Sequence, residues 1–188
     1  MLFRHLACAL LLLLLLLAAL PRALGAVGEP RTNLVQAILS EDAAEQIELI
    51  RKLNEASDPL IEQALAAWRL GSLFLLETND TRTPFFLDAQ TDSDGKARAI
   101  RVADGEFIKD SSGQPLAFMA GELTPVDTTS KLRKAIKTTL DLFALSNPNP
   151  RMRRDAVTKL GQEQNAEYLP FLQARAAKEA DQIGRAHV

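Results

Sequence analysis

The sequence predicts a mainly α fold in which helical hairpins are interrupted by a small antiparallel β insert. Three observations carry this expectation. Apolar residues recur at helical spacing in two blocks, one before Gly71 and one after Thr129. Between the blocks, short apolar segments alternate with turn signals. Hydrophobic residues make up 47% of the 188 residues but aromatics only 5%, so the core must be built mostly of Leu, Ile, Val and Ala. The net charge of -2 gives no global attraction to nucleic acid or to an anionic membrane.

The first element is a leader over residues 1–26. Arg4 and His5 precede an apolar run from Leu6 to Leu20, followed by Pro21 and small residues, the layout of a secretory signal peptide. Cleavage fits after Ala23-Leu24-Gly25 or Leu24-Gly25-Ala26. The run of about 15 residues falls short of the ~20 that span a bilayer as a helix; an uncleaved anchor is the alternative. Either way the remainder is expected outside the cytoplasm. The single cysteine, Cys8, lies in this run, so no disulfide framework is expected in the body.

Residues 27–71 read as a helical unit. Leu34, Val35, Ile38 and Leu39 form a short apolar face. Ser40 suits an N-cap, and Ala43, Ala44, Ile47, Ile50 and Leu53 continue at helical spacing. Acidic Glu41, Asp42 and Glu45 suit the start of that helix, and Arg51 and Lys52 its end. Asp58 can cap the next helix with Pro59 in its first turn. Ile61, Ala64, Leu65 and Trp68 then form a third stripe, closed near Gly71.

Residues 72–126 read as the β insert. Its segments "SLFLLE", "TPFFLDAQ", "KARAIRVA" and "PLAFMAGE" are separated by polar turns, with Asp94-Gly95 and Asp104-Gly105 the strongest signals. The insert looks too thin to hold a large core alone, so it should pack on the helices. "QTDSDGK" superficially resembles a calcium loop, but its first and twelfth positions hold Gln90 and Arg101 where acids are needed. It reads as a plain hairpin turn. Trp68 and the pair Phe85-Phe86 read as core.

Residues 127–182 return to helices. Leu132, Ala135, Ile136, Thr139, Leu140 and Phe143 share one face, capped by Ser130 or a neighbouring Thr. Asn147 and Asn149 each precede proline and should be extended. Asn149 can cap a helix that starts at Pro150 and buries Met152, Ala156, Val157 and Leu160. A break at Gly161 and a last helix complete the series. The segments Leu49–Leu65 and Ala156–Arg175 share a form, helix, polar break, helix, at the length of a HEAT-like repeat. Such a unit buries its face only by stacking on a neighbour.

Few residues suggest chemistry. Both histidines, His5 and His187, lie near the termini, which argues against Ser-His or Cys-His nucleophiles and against His or Cys metal sites in the body. No catalytic group, cofactor motif or metal set is expected. The densest basic cluster is Arg151, Arg153 and Arg154. It lacks the further basic and aromatic partners of a nucleic-acid footprint and reads as a solvated helix face or, functionally, as a partner-docking surface.

The stretch from Asp127 to Leu160 resembles the N-terminal extension of permease subunits of urea ABC transporters, a family similar to the branched-chain amino acid permeases. Those proteins carry a segment of the form Asn-Arg-Leu-Arg-Arg, then Leu-x-Leu-Leu/Phe, then Asp/Asn-Pro-x-x-Arg-x-x-Ala. Here Ser130-Lys131-Leu132-Arg133-Lys134-Ala135-Ile136 matches with substitutions. Leu142 to Pro148 and Arg153/Arg154-Asp155-Ala156 match closely. The order of leader, helices around Asp58-Pro59, β insert and helices also fits. The resemblance implies a periplasmic HEAT-like domain ahead of a multi-spanning permease. The family's pore-forming half has no counterpart in this chain. The implied partners are the other transporter subunits: a second permease, ATPases and a solute-binding protein.

The final residues, 183–188, depart from the helical pattern. One frame of a common short-read sequencing adapter translates as Gln-Ile-Gly-Arg-Ala-His-Val-stop, which is Gln182 to Val188. The tail is therefore expected to be adapter sequence, and His187 is given no functional weight. Two functions stay open: an accessory periplasmic domain of a permease subunit, supporting transmembrane transport by docking or bracing, or a stand-alone exported HEAT-repeat scaffold. An exported hydrolase would need a catalytic group not evident in the sequence.

Overall fold

The computed structural model describes residues 28–54, 56, 58–79 and 81–186, with side chains described up to Glu179. The expected leader, Ser57 and the last two residues of the adapter-like tail lie outside these.

The first helical layer is a hairpin. Helix α1 (Glu29–Leu39) buries Leu34, Ala37 and Ile38. Helix α2 (Ala43–Arg51) buries Leu49 and Ile50. The cap between them differs from the expectation. Asp42, not Ser40, receives the amides of Ala44 and Glu45 at 2.7 and 3.1 Å. Ser40 ends α1, and its hydroxyl accepts from Asp42 N at 3.1 Å. A carboxylate two residues nearer the first turn reaches those amides, where the Ser40 hydroxyl is drawn to Glu45 instead. Helix α3 (Pro59–Arg69) follows the expected pattern: Asp58 accepts from Leu60 N at 2.9 Å, and Ile61, Ala64, Leu65 and Trp68 are all buried.

Arg31 of α1 ties these pieces together. Its guanidinium meets both oxygens of Asp58 at 2.6 and 3.3 Å and donates to Asp104 O at 3.2 Å. The hydrogen bond from Arg31 holds the Asp58 carboxyl below its ordinary value. One arginine thus joins α1, the start of α3 and a turn of the sheet.

The sheet is a four-stranded antiparallel meander in the order β1 (Leu73–Thr78), β2 (Thr81–Thr91), β3 (Ala97–Arg101), β4 (Ala117–Phe118). Gly95 and Gly105 adopt φ of 78° and 81°, the left-handed turn geometry that the Asp-Gly pairs signalled. Register places Leu73 opposite Phe86 and Phe74 opposite Phe85. Alternation then sends neighbouring residues to opposite faces. Leu73, Phe86 and Val102 join the helical core with Trp68. Phe74, Phe85, Ala99 and Ile108 form a separate cluster, supported by Leu76, Leu87, Leu116 and Phe118. Three phenylalanine rings stack through it, with centroids 5.6 Å apart for Phe74–Phe85 and 5.5 Å for Phe85–Phe118.

This second core corrects the picture of a thin insert on a mainly α chain. The molecule is mixed α/β: six helices among the described residues and a sheet buried on both faces. The sheet can do this because it curls. Ala99 N donates to Leu116 O (2.9 Å), Leu116 N to Ile108 O (2.8 Å) and Ile108 N to Ala99 O (2.9 Å), a closed ring of three backbone bonds. The chain after β4 returns to β1, where Val126 N donates to Leu73 O at 2.8 Å, so that edge is not left open.

Helix α4 (Ser130–Phe143) is capped by Thr129, whose hydroxyl accepts from Leu132 N at 3.1 Å. It packs on α2 and α3 and contributes Leu132, Ile136 and Phe143 to the helical core. Its last turn faces a different set. Leu142 and Leu145 join Ala156 and Leu160 of α5 (Pro150–Gln162) and Tyr168 in a small third cluster, flanked by Phe171 and Leu172 of α6 (Leu169–Ala186). The expected break near Gly161 falls slightly later: helix α5 runs to Gln162 and the chain turns at Gln164, with φ of 48°. The expected departure at residue 183 is not seen, because the backbone of α6 stays helical to Ala186.

Candidate functional site

The basic cluster of α5 is divided by its helix geometry. Residues 100° apart on the helix cannot all share a face. Arg151 and Arg154 are exposed, whereas Arg153 is 9% exposed and sits one turn before Ala156 on the buried side. Met152 and Val157, expected in the core, are 49% and 41% exposed. The buried face keeps Ala156 and Leu160, but an arginine occupies its first turn.

The Asn-Pro-Asn-Pro start of α5 explains why. Asn149 caps the helix by accepting from Arg151 N at 2.9 Å, and Asn147 accepts from Asn149 N at 2.9 Å. The first helical bond runs from Arg153 N to Asn149 O, so the carbonyls of Asn147 and Pro148 lie outside the ladder. The Arg153 guanidinium donates to both at 2.9 Å and to Glu179 Oε1 of α6 at 2.6 Å. Arg175 meets the same carboxylate oxygen at 2.6 Å. The hydrogen bond from Arg153 holds Glu179 below its ordinary value. Asn149, Pro150, Arg153 and Ala156 therefore set the structural register of the Asn-Pro-x-x-Arg-x-x-Ala pattern: cap, first turn, clasp and core. Of the candidate surface, Arg153 is committed inside the molecule, and Arg151 and Arg154 face solvent.

A second polar network fixes the other side of the C-terminal helices. Asp141 accepts from Lys159 at 2.6 Å and Lys137 at 2.9 Å. Lys137 also meets Glu163 at 3.1 Å, and Tyr168 donates its hydroxyl to Glu163 at 3.1 Å. Burial alone would raise the Asp141 carboxyl, but the hydrogen bonds from Lys159 and Lys137 together hold it below its ordinary value. The Asp141 hydrogen bond raises Lys137, and the Lys137 hydrogen bond lowers Glu163.

Two clefts open where these C-terminal helices meet the body, one on either side of Asn54. The first, of about 390 Å³, is lined by Leu142, Phe143, Leu145, Phe171 and Arg175. The second, of about 300 Å³, runs between α2 and the start of α4 and is lined by Arg51, Lys131, Lys134, Thr138 and Tyr168. Asn54 is held by the buried Thr139, whose hydroxyl donates to Asn54 Oδ1 at 2.8 Å. No carboxylate lies within 4.0 Å of Arg51, Lys131 or Lys134 among the described residues. The second cleft thus combines three cations outside ion-pair distance, one carboxylate (Glu167), hydroxyls, the amides of Asn54 and Asn165 and one aromatic ring. With three cations to one acid, that lining suits an anionic group.

The second cleft could not be found by motif. Arg51 reads as a favourable helix-end cation, and Lys131 and Lys134 as the solvated side of an amphipathic helix. Only the packing of α2 on α4 brings the three together. One signal was available: helix α4 carries Lys131, Arg133 and Lys134 at its start and no acid in its first turn, against the usual charge preference of a helix N-terminus.

Scanned against protein-family models, curated proteins and solved structures, the chain matches none.

Proposed function

We propose that this chain is the extracytoplasmic accessory domain of an ABC permease subunit of the urea-transporter kind, working by docking and bracing rather than by catalysis. The observation that supports it is the part played by the residues of the resembling segment. Leu132 and Ile136 anchor α4 in the main core, Leu142 and Leu145 start the C-terminal core, and Arg153 clasps the joint between them. A segment that carries the resemblance and also sets the junction of two packing units suits an architectural module. In this reading the α1–α2 hairpin and the α5–α6 pair are HEAT-like units set on α4. The leader-like N-terminus supports a periplasmic location in this reading, with the solvent-facing clefts serving the transporter core or its solute-binding protein.

The test is the reading frame itself. The adapter codons CAG ATC GGA AGA GCA CAC GTC at 182–188 would mark the tail as foreign, and recovery of the native gene should then extend the frame into several apolar segments of ~20 residues; other codons would retain the tail as native. A native stop shortly after Asp181 would sink the permease reading and leave an exported scaffold.

A further inference from the structure

We infer that the basic cleft between α2 and α4 is the docking site for an acidic peptide segment of a partner protein. This rests on the docking reading above but not on the transporter identity. Three cations, Arg51, Lys131 and Lys134, line one cleft of about 300 Å³ and have no carboxylate within ion-pair distance among the described residues. Outside the cleft the described cations divide: Arg31, Arg98, Lys159 and Arg153 pair with Asp58, Asp88, Asp141 and Glu179, whereas others such as Lys52, Lys96 and Arg154 are exposed; the cleft differs in gathering three cations around one concavity. Leaving three like charges together costs stability through mutual repulsion, and Lys131 and Lys134 are also set against the positive end of their own helix. Three cations against the one carboxylate of the lining, Glu167, leave the cleft with a net positive surface complementary to negative charge.

The remaining lining sets the kind of anion. Thr138, Asn54 and Asn165 supply hydrogen-bonding groups along the cleft, and Ile47, Ala135 and Tyr168 supply an apolar floor. A mixed polar and apolar trough suits an extended chain that alternates carboxylates with small apolar side chains. The lysines are flexible point charges rather than a rigid fork, which fits a run of Asp and Glu better than one fixed phosphate.

The test uses the full chain and a fluorescein-labelled peptide of alternating Glu and Ala, with a Gln-and-Ala peptide of equal length as control. Fluorescence anisotropy should show binding of the acidic peptide only, weakening as salt rises. The double variant Lys131→Gln/Lys134→Gln should lose at least about tenfold in affinity. Arg151→Gln/Arg154→Gln makes the same change in net charge on α5 and should stay within about twofold. Melting should show the first variant folded and no less stable than the parent, so lost binding cannot be read as unfolding. Equal losses in the two variants, or equal binding of the two peptides, would overturn the proposal. So would displacement of the acidic peptide by millimolar inorganic phosphate, which marks a small-anion site. Preferential capture by phosphatidylserine vesicles would equally reject it in favour of a lipid surface. A reading frame that stops after Asp181 ends the transporter reading and leaves these results untouched; failed peptide binding does the reverse.

Discussion

The helical body and the C-terminal helices are held together by different physics. Among the described residues, the body core gathers sixteen buried apolar side chains, Trp68 among them, whereas the C-terminal core has five. Burial is worth about 1.5–3 kcal/mol for each large side chain, so the body can stand on its apolar contacts. The C-terminal region cannot, and supplements them with the Arg153–Glu179 clasp and the Asp141 network. The lesson is that a small helical core can be completed by hydrogen bonds to carbonyls that the chain itself left unpaired. The cost is a dependence on charge that the larger core does not share.

Each region carries its own reporter, since the single tryptophan, Trp68, lies in the body core and the single tyrosine, Tyr168, in the C-terminal one. The largest expected effect is from Leu65→Ala. Leu65 is fully buried, and the cavity should cost about 2–5 kcal/mol, read as a shift of the Trp68 transition in urea. A loss below 1 kcal/mol would mean that the body core relaxes and is not the stronger of the two.

Next comes Arg153→Met, which keeps length and removes charge. It removes the donors of two part-buried carbonyls and of Glu179 and should cost about 1–3 kcal/mol. The comparison requires that Tyr168 report this loss while the Trp68 transition stays in place. A common shift of both signals would show one cooperative unit instead.

Acid should separate the regions in the same direction. The carboxyls of Asp141, Glu163 and Glu179 all lie below their ordinary values when folded. A carboxyl lowered on folding binds fewer protons folded than unfolded, so its contribution is full above the unfolded value near about 4 and is lost as pH falls through the lowered folded value. Asp58 in the body follows the same sign but supports a larger core. An acid titration should therefore move Tyr168 at a higher pH than Trp68, and the gap should narrow in Asp141→Asn. The reverse order of the two signals would refute the distinction.

The smallest effect is a gain. Lys131→Gln/Lys134→Gln removes two cations from the start of α4 and should stabilise the body by about 0.3–1 kcal/mol, seen as a small rise in Tm. Destabilisation would mean that these lysines brace the structure, and the docking proposal would lose its electrostatic basis.

Much of the local structure was legible because it follows from short-range rules. The stripe Ile61, Ala64, Leu65, Trp68, the Asp58 and Asn149 caps, and the glycines at 95 and 105 depend on spacing and on one residue's conformational freedom. Three features were not legible. Ser40 and Asp42 compete for one cap, and only backbone geometry selects between them. The insert reads as thin because local alternation does not carry across its turns; register puts Phe85 and Phe86 in two different cores. Arg153 reads as solvated because hydropathy assigns a charge to water unless its acceptors are known.

By itself the sequence determined where helices and turns form, since periodicity, caps and Asp-Gly pairs act over a few residues. The tertiary structure alone decided that the sheet curls to enclose a second core, that Arg153 turns inward, and that Arg51 meets Lys131 and Lys134. Each of these depends on groups far apart in the chain, such as Ala99 with Leu116 or Asn54 with Thr139. Their partners exist only once the chain has packed, so no local pattern in the sequence encodes them.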